Sequence, residues 1–175
     1  EEFLALVQQN KQHIQKTFPV TLASCTDLES TRDFIARNIE KEQNRDGHHF
    51  YLRHEQTKNL IGYVCIKNVN KTIQKCELAY FIDKDFEGQG IISGAVSQTI
   101  DFCFNELSMN KVFICTSKVN TASQRIATKH GFRQEGILRE ELPSVSSAYG
   151  LWYKNSDTIL EDIVYFGLLK SEYQP

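Results

Sequence analysis

Between Cys76 and Cys103 the sequence admits few architectures. An extended apolar stretch, Glu77-Leu-Ala-Tyr-Phe-Ile82, leads into Asp85-Phe86-Glu87-Gly88-Gln89-Gly90-Ile91-Ile92-Ser93-Gly94-Ala95. Beyond the glycines, Ile92, Val96, Thr99 and Cys103 recur at a spacing that places them on one helical face. A strand therefore hands over to a helix through a turn with glycine at positions 88 and 90. Glycine lets backbone N–H groups turn outward with no Cβ in the way. The first turn of a helix leaves its N–H groups unpaired and carries the positive end of the macrodipole. An anion, most often a phosphate, suits such a place. A tight turn that binds nothing is the competing reading. A P-loop is excluded, because no Gly-Lys-Ser/Thr closes the stretch. The dinucleotide fingerprint fails too: Ser93 stands at the third glycine, and the next strand, Val112–Cys115, does not end in an acidic residue.

Elsewhere strands and helices mix. Helical spacing runs from Phe3 to Ile14, and Pro19 stops any continuation. Thr26 or Asp27 caps a second helix, with Leu28, Phe34, Ile35 and Ile39 on its apolar side, and the charged run Lys41–Gly47 reads as a solvated loop. Strands are expected at His49–Arg53, Leu60–Ile66, Cys76–Ile82 and Lys111–Thr116, with turns at Gln56–Asn59 and Asn68–Thr72. The helix after the glycines is expected to last to about Leu107. Another is marked at both ends, by Asn120 as N-cap and Gly131 as the residue past its end. Phe132–Arg139 reads as extended, Tyr149–Tyr153 as a candidate strand, and Leu160–Leu169 as the last strand. No repeat, low-complexity tract or linker divides the 175 residues. One α/β domain over 1–175 is expected, burying roughly 70% of its unfolded surface.

Charge narrows the partners. Twenty basic and 22 acidic residues leave a net charge of −2, and no basic tract is present, so nucleic acid is not expected. Five cysteines (25, 65, 76, 103 and 115) are odd in number and show no metal-ligand spacing. They read as reduced core thiols of a cytoplasmic protein that binds no metal. No run approaches the ~18 apolar residues of a membrane span, and no signal peptide is evident. The opening Glu1-Glu2 suggests a trimmed N-terminus.

The glycine stretch resembles the acetyl-CoA loop of the GNAT superfamily of N-acetyltransferases, whose pattern is Gln/Arg-x-x-Gly-x-Gly/Ala. Its six positions are Glu87, Gly88, Gln89, Gly90, Ile91 and Ile92, with glycine kept at the fourth and departures at the first and sixth. The bulky sixth residue is similar to the RimJ/RimL branch, which acetylates ribosomal-protein N-termini. A second block strengthens this: Asn120-x-x-Ser123, then Gly131-Phe132, then Glu135-Gly-Ile-Leu-Arg139. Glu77-Leu-Ala-Tyr-Phe-Ile82 likewise resembles that branch's Glu-Ile-Gly-Tyr-Trp-Ile.

The resemblance implies a GNAT-type (acyl-CoA N-acyltransferase) fold, a twisted mixed sheet with helices on both faces. Two central strands, Cys76–Ile82 and Lys111–Thr116, would splay around pantetheine. Phe81 and Ile82 would offer it backbone groups, residues Glu87 to Ser93 would hold pyrophosphate, and Asn120 would bond the pantetheine arm. Asn120 also reads as an ordinary N-cap. Many relatives carry a tyrosine seven residues on to protonate the leaving thiolate, but Ala127 stands here. Ser123, on the same face, is the candidate donor, or else only a cap-region residue.

Acetyl transfer needs a neutral amine, and a buried carboxylate can take its proton. Glu77, Glu140 and Glu141 are candidates, each open to the reading of a solvated surface acid. Glu77 is favoured as base and Glu141 as the group that holds the incoming cation. His130 reads as a helix C-terminal cap, and Cys115 as too deep in an apolar strand for a nucleophile. The expected partners are acetyl-CoA and an amine, the α-amine of a protein N-terminus ahead of a polyamine or aminoglycoside, with a homodimer as an option for assembly. A CoA-binding module without catalysis is the rival from another class.

Overall fold

The structure, a computed structural model, describes residues 1–143 and 160–174. Helical spacing near the N-terminus is interrupted at Asn10, which separates α1 (Glu2–Gln9) from α2 (Lys11–Ile14). The amide of this buried asparagine is used at both ends. Its Nδ2 donates to the Leu6 carbonyl at 3.0 Å, and its Oδ1 accepts from the Lys84 N–H at 3.0 Å. Pro19, expected only to end a helix, opens α3 (Pro19–Ser24). At a first helical position its missing N–H would be unpaired in any case. Asp27 caps α4 (Leu28–Gln43), accepting from the Ser30 N–H at 2.8 Å. That helix continues through Lys41–Gln43, where the charge run predicts a loop. Charged residues on the solvent side of a last turn do not break it.

Six strands follow: β1 (His48–Arg53), β2 (Leu60–Asn70), β3 (Lys75–Ile82), β4 (Lys111–Ser117), β5 (Arg133–Pro143) and β6 (Leu160–Leu169). Their order in the sheet is β1-β2-β3-β4-β6-β5. Among the described strands only β3 and β4 run parallel, so the sheet is mixed as expected. β2 outruns its expected end and carries the pairing on to Asn70. The candidate strand Tyr149–Tyr153 lies outside the described residues.

Alternation along the strands sends side chains to two faces. One face carries Val64, Ile66, Leu78, Val112, Ile114 and Phe166, packed under α5 (Ile91–Asp101), the π-turn Phe102–Glu106 and α6 (Thr121–Lys129). The other carries Tyr63, Cys65 and Phe81 against Phe3, Leu6, Ile14, Phe18 and Phe34 of the N-terminal helices. Burying a side chain such as Ile100 contributes about 1.5–3 kcal/mol. Helices thus cover both faces and pin β3 and β4 between them. All five cysteines are free thiols. Cys76 and Cys103 touch at 3.8 Å between sulfurs inside the core. Cys115, expected to be deep, is only half-buried.

Candidate active site

The parallel ladder between β3 and β4 covers only Lys75↔Lys111, Cys76↔Val112 and Glu77↔Phe113. Beyond these pairs the strands stay bonded to their outer neighbours, β3 to β2 as far as Ile82 and β4 to β6 as far as Ser117. A gap therefore opens between Leu78–Ile82 and Ile114–Ser117. Which peptide groups line it follows from register. Asp83 N–H donates to the Ile61 carbonyl at 2.7 Å. In an antiparallel ladder bonded and non-bonded pairs alternate. Phe81 is therefore bonded to Tyr63 on β2, while Tyr80 and Ile82 turn their N–H and C=O groups to the gap. Of the two residues expected to offer backbone groups to pantetheine, Ile82 turns its peptide groups to the gap, whereas those of Phe81 serve the β2 ladder and its ring packs on Phe18.

At the end of β3 the chain passes a short 3₁₀ turn, Lys84–Phe86, and reaches the glycines. Gly88 and Gly90 hold φ angles of 72° and 79°, the left-handed region that favours glycine. A Cβ added to either would meet no atom within 4 Å, so the approach to the loop is open. Gly90 is the N-cap of α5. Among the described residues, the N–H groups of Gly88, Gln89, Gly90, Ile91, Ile92 and Ser93 have no acceptor. A row of free donors at a helix N-terminus fits a phosphate group.

Two side chains of the loop are already engaged. Glu87 Oε1 lies 3.2 Å from His13 Nε2 on α2, and the Glu87 N–H donates to the Lys84 carbonyl at 3.3 Å. Ser93, nearly buried, has its Oγ 3.0 Å from His130 Nε2. His130 is thus the C-cap of α6 and also the contact that ties α6 to the first turn of α5. Burial first, then the nearby Lys129, lowers its pKa from the ordinary histidine value.

Helix α6 forms where its ends predict. Asn120 Oδ1 accepts from the Ser123 N–H at 3.1 Å, and Gly131 takes a φ of 80° past the last turn. The asparagine side chain is therefore a working N-cap. Ser123 sits in the first turn, and Ala127, one turn on, is fully buried in the core. The Tyr80 hydroxyl reaches Ser123 from β3, with Oη 3.1 Å from Oγ. Tyr80 stands in the quoted strand motif, yet strand alternation alone says nothing of what its hydroxyl meets.

Glu77 lies on the opposite face of the sheet, in alternation with Ala79 and Phe81. Glu77 is 6% exposed, with Oε1 3.1 Å from Lys67 Nζ and Oε2 accepting from Asn68 Nδ2 at 2.6 Å. It is committed to an ion pair whose carboxylate is buried and whose lysine is half-exposed, which counts against its expected role as a free base. Glu140 and Glu141 are exposed on β5. Cys115 shares this side: its thiol is pushed up to about 12, first by burial and then by the charge of Glu77, with Glu141 adding. A thiol held protonated is not a nucleophile. Among the described residues no cluster of metal ligands occurs, and no helix is long and apolar enough to cross a membrane.

Comparison with known proteins places this geometry. Residues 1–133 match the family described as Acetyltransferase (GNAT) domain. Over 116 residues the chain is 34% identical to a putative ribosomal N-acetyltransferase of Bacillus subtilis, covering 66% of this chain but 57% of that relative. A spermidine N(1)-acetyltransferase of Vibrio cholerae is 25% identical over 91 residues, 52% of this chain and 53% of its own. A crystal structure of a probable acetyltransferase superposes with a TM-score of 0.83 at 28% identity, covering 99% of this chain and 88% of that one.

Proposed function

The chain belongs to the GNAT acetyltransferase family, and we propose that residues 1–175, as one domain, move acetyl from acetyl-CoA to the α-amine of a protein N-terminus, with ribosomal proteins as the acceptor class. The observation that carries this reading is the β3–β4 gap, which opens after Glu77↔Phe113 beside the free N–H row of α5. Pyrophosphate is held by the N–H groups of residues 88–93. Pantetheine lies along the gap against the peptide groups of Tyr80 and Ile82. Asn120 fixes the turn that carries Ser123, and Ser123 donates a hydrogen bond to the departing sulfur. Acetyl-CoA supplies the activated acyl group, and no covalent enzyme intermediate is involved. With five free thiols, the chain suits the cytoplasm.

The acceptor follows from proton chemistry. Glu77 already serves Lys67 and Asn68. An α-amine, with a pKa of about 7.7–8.0, is roughly 10–15% neutral at pH 7, whereas an amine near 10.4 is about 0.04% neutral. The first can react without a dedicated base. The spermidine acetyltransferase among the relatives favours a second reading, a small polyamine acceptor. Measuring CoA release from acetyl-CoA with N-terminal peptides and with spermidine decides between them. Spermidine as the better substrate at pH 7 would replace the first reading with the second, and transfer to no amine would leave a CoA-binding module.

A further inference from the structure

We propose that Tyr80 is a positioning residue for Ser123: its hydroxyl bonds the serine so that the serine's own hydrogen faces the leaving thiolate at the β3–β4 gap. This rests on the acetyl-transfer reading above. Tyr80 Oη lies 3.1 Å from Ser123 Oγ and 3.4 Å from the Ser123 carbonyl oxygen. A carbonyl only accepts, so the contact with it needs the phenolic hydrogen to point at α6. In the proposed arrangement the same hydrogen is shared with Oγ at the shorter distance, rather than Oγ–H turning back onto the phenolic oxygen. A serine hydroxyl that accepts from Tyr80 keeps its own hydrogen for another partner. Among the described residues Ser123 Oγ has no other partner, and the Ser123 N–H is fixed by Asn120 Oδ1.

The pair also spans the gap. Tyr80 belongs to the part of β3 that has left β4, and Ser123 to the helix that β4 leads into. A phenylalanine would pack the same ring against the core, so packing alone does not call for the hydroxyl.

Burial pushes the Tyr80 phenol up to about 12, so it remains a donor throughout the working pH range. A thiol titrates near 8.5, so moving the phenolic proton fully to a thiolate runs uphill by roughly 3.5 powers of ten. Tyr80 therefore acts through its hydrogen bond, not as an acid. In the transfer, the nitrogen–carbon bond forms and the carbon–sulfur bond breaks with its electron pair going to sulfur. The proton lost by nitrogen balances the one gained by sulfur. Tyr80 and Ser123 both finish with their own hydrogens.

The test uses the whole chain as wild type, Tyr80→Phe, Ser123→Ala and the double variant. The thiolate absorbance of bound CoA is titrated against pH, and kcat and KM for acetyl-CoA are measured with an N-terminal peptide. The bound thiol is expected to titrate lowest in wild type and higher in all three variants. Tyr80→Phe should lose about two- to tenfold in kcat, the scale of one neutral hydrogen bond, with KM unchanged. The double variant should be no slower than Ser123→Ala, because the two groups act as a unit. A bound-CoA titration that Tyr80→Phe leaves unmoved, or losses that multiply, would overturn the proposal. Should Tyr80→Phe fail to fold, a thiol unmoved by Ser123→Ala overturns it equally. A wild type that binds CoA but acetylates no amine overturns the underlying reading and this inference with it. An active wild type with an indifferent Tyr80→Phe overturns this inference alone.

Discussion

Glu87 Oε1 lies 3.2 Å from His13 Nε2, so the one carboxylate inside the glycine loop faces α2 rather than a bound phosphate. A charge beside a pyrophosphate would repel it, and turning the side chain toward the N-terminal helices removes that conflict. The pair is solvent-accessible on both sides, and such pairs contribute about 0–1 kcal/mol. Glu87→Gln should therefore leave acetyl-CoA affinity within about twofold. Calorimetry showing a tenfold tighter complex would put the carboxylate at the phosphates after all.

Gly90 leads to a sharper expectation. Its φ of 79° strains any residue with a Cβ, by about 1–2 kcal/mol. A Cβ there would meet no atom within 4 Å, so the space beside the loop is open. Gly90→Val should fold with reduced stability and bind acetyl-CoA at least about tenfold more weakly, equivalent to about 1.4 kcal/mol. Unchanged affinity in a folded variant would remove the loop from the cofactor site.

Lys67 and Glu77 form the next test. Removing the cation leaves a carboxylate that is 6% exposed with Asn68 as its remaining partner. Breaking a buried pair costs about 3–5 kcal/mol, but Lys67 is half in solvent, which reduces this to roughly 1–2 kcal/mol. Lys67→Met should lower the denaturant midpoint accordingly. Glu77→Gln, in contrast, should slow transfer to an N-terminal peptide less than about tenfold. A loss of 10²-fold or more, the lower edge of general base catalysis, would restore Glu77 as the base.

His49 carries a pH dependence of its own. Its Nδ1 lies 2.5 Å from the Tyr63 hydroxyl, while its Nε2 is buried with no partner among the described residues. Asn38 Nδ2 donates to that same hydroxyl oxygen at 3.4 Å. Burial, then Lys41, lowers the His49 pKa from 6.5 to about 4. Below pH 6.5 the unfolded chain binds the proton and the folded chain does not, so stability falls as pH drops from about 6.5 to 4. The full difference is about 3 kcal/mol, and solvent at this partly exposed site reduces it to roughly 1–2 kcal/mol. Denaturant melts at pH 7 and pH 5 should show a smaller pH effect in His49→Gln than in wild type. Equal effects would mean His49 titrates normally in the fold.

Legibility in the sequence followed the range of the interactions. Helix α6 was readable because Asn120 and Gly131 act on neighbours within the same helix. β6 was readable because Leu160–Leu169 alternates enough to read as a strand, although from Ile163 onward it is apolar on both faces. The break at Asn10 was not, since its amide answers to Lys84, 74 positions away. The widening of β3 from β4 left no local mark either: Leu78–Ile82 is as apolar where it is unpaired from β4 as any interior strand. Residue types at the site were legible through resemblance, while their partners were not. Glu77 was recognisable as a strand carboxylate, but Lys67 and Asn68 reach it across the β2–β3 pairing. Tyr80 was visible as a residue and silent as a hydroxyl.

The acceptor gives the last prediction. With Glu77 held by Lys67 and Asn68, the acceptor's own pKa governs how much reactive amine is present. For an α-amine, kcat/KM should rise about tenfold per pH unit below 7.7 and level off above about 8. For spermidine the same slope should continue toward pH 10, because its amines remain protonated across neutrality. At pH 7 the neutral fraction differs between the two by roughly 2.5 powers of ten, a larger factor than most single contacts supply. The two profiles, measured in wild type and Glu77→Gln, should therefore diverge most near pH 7, with the peptide ahead in both proteins. Spermidine ahead at pH 7 in wild type but not in Glu77→Gln would show that Glu77 takes the proton and that the acceptor is a small polyamine.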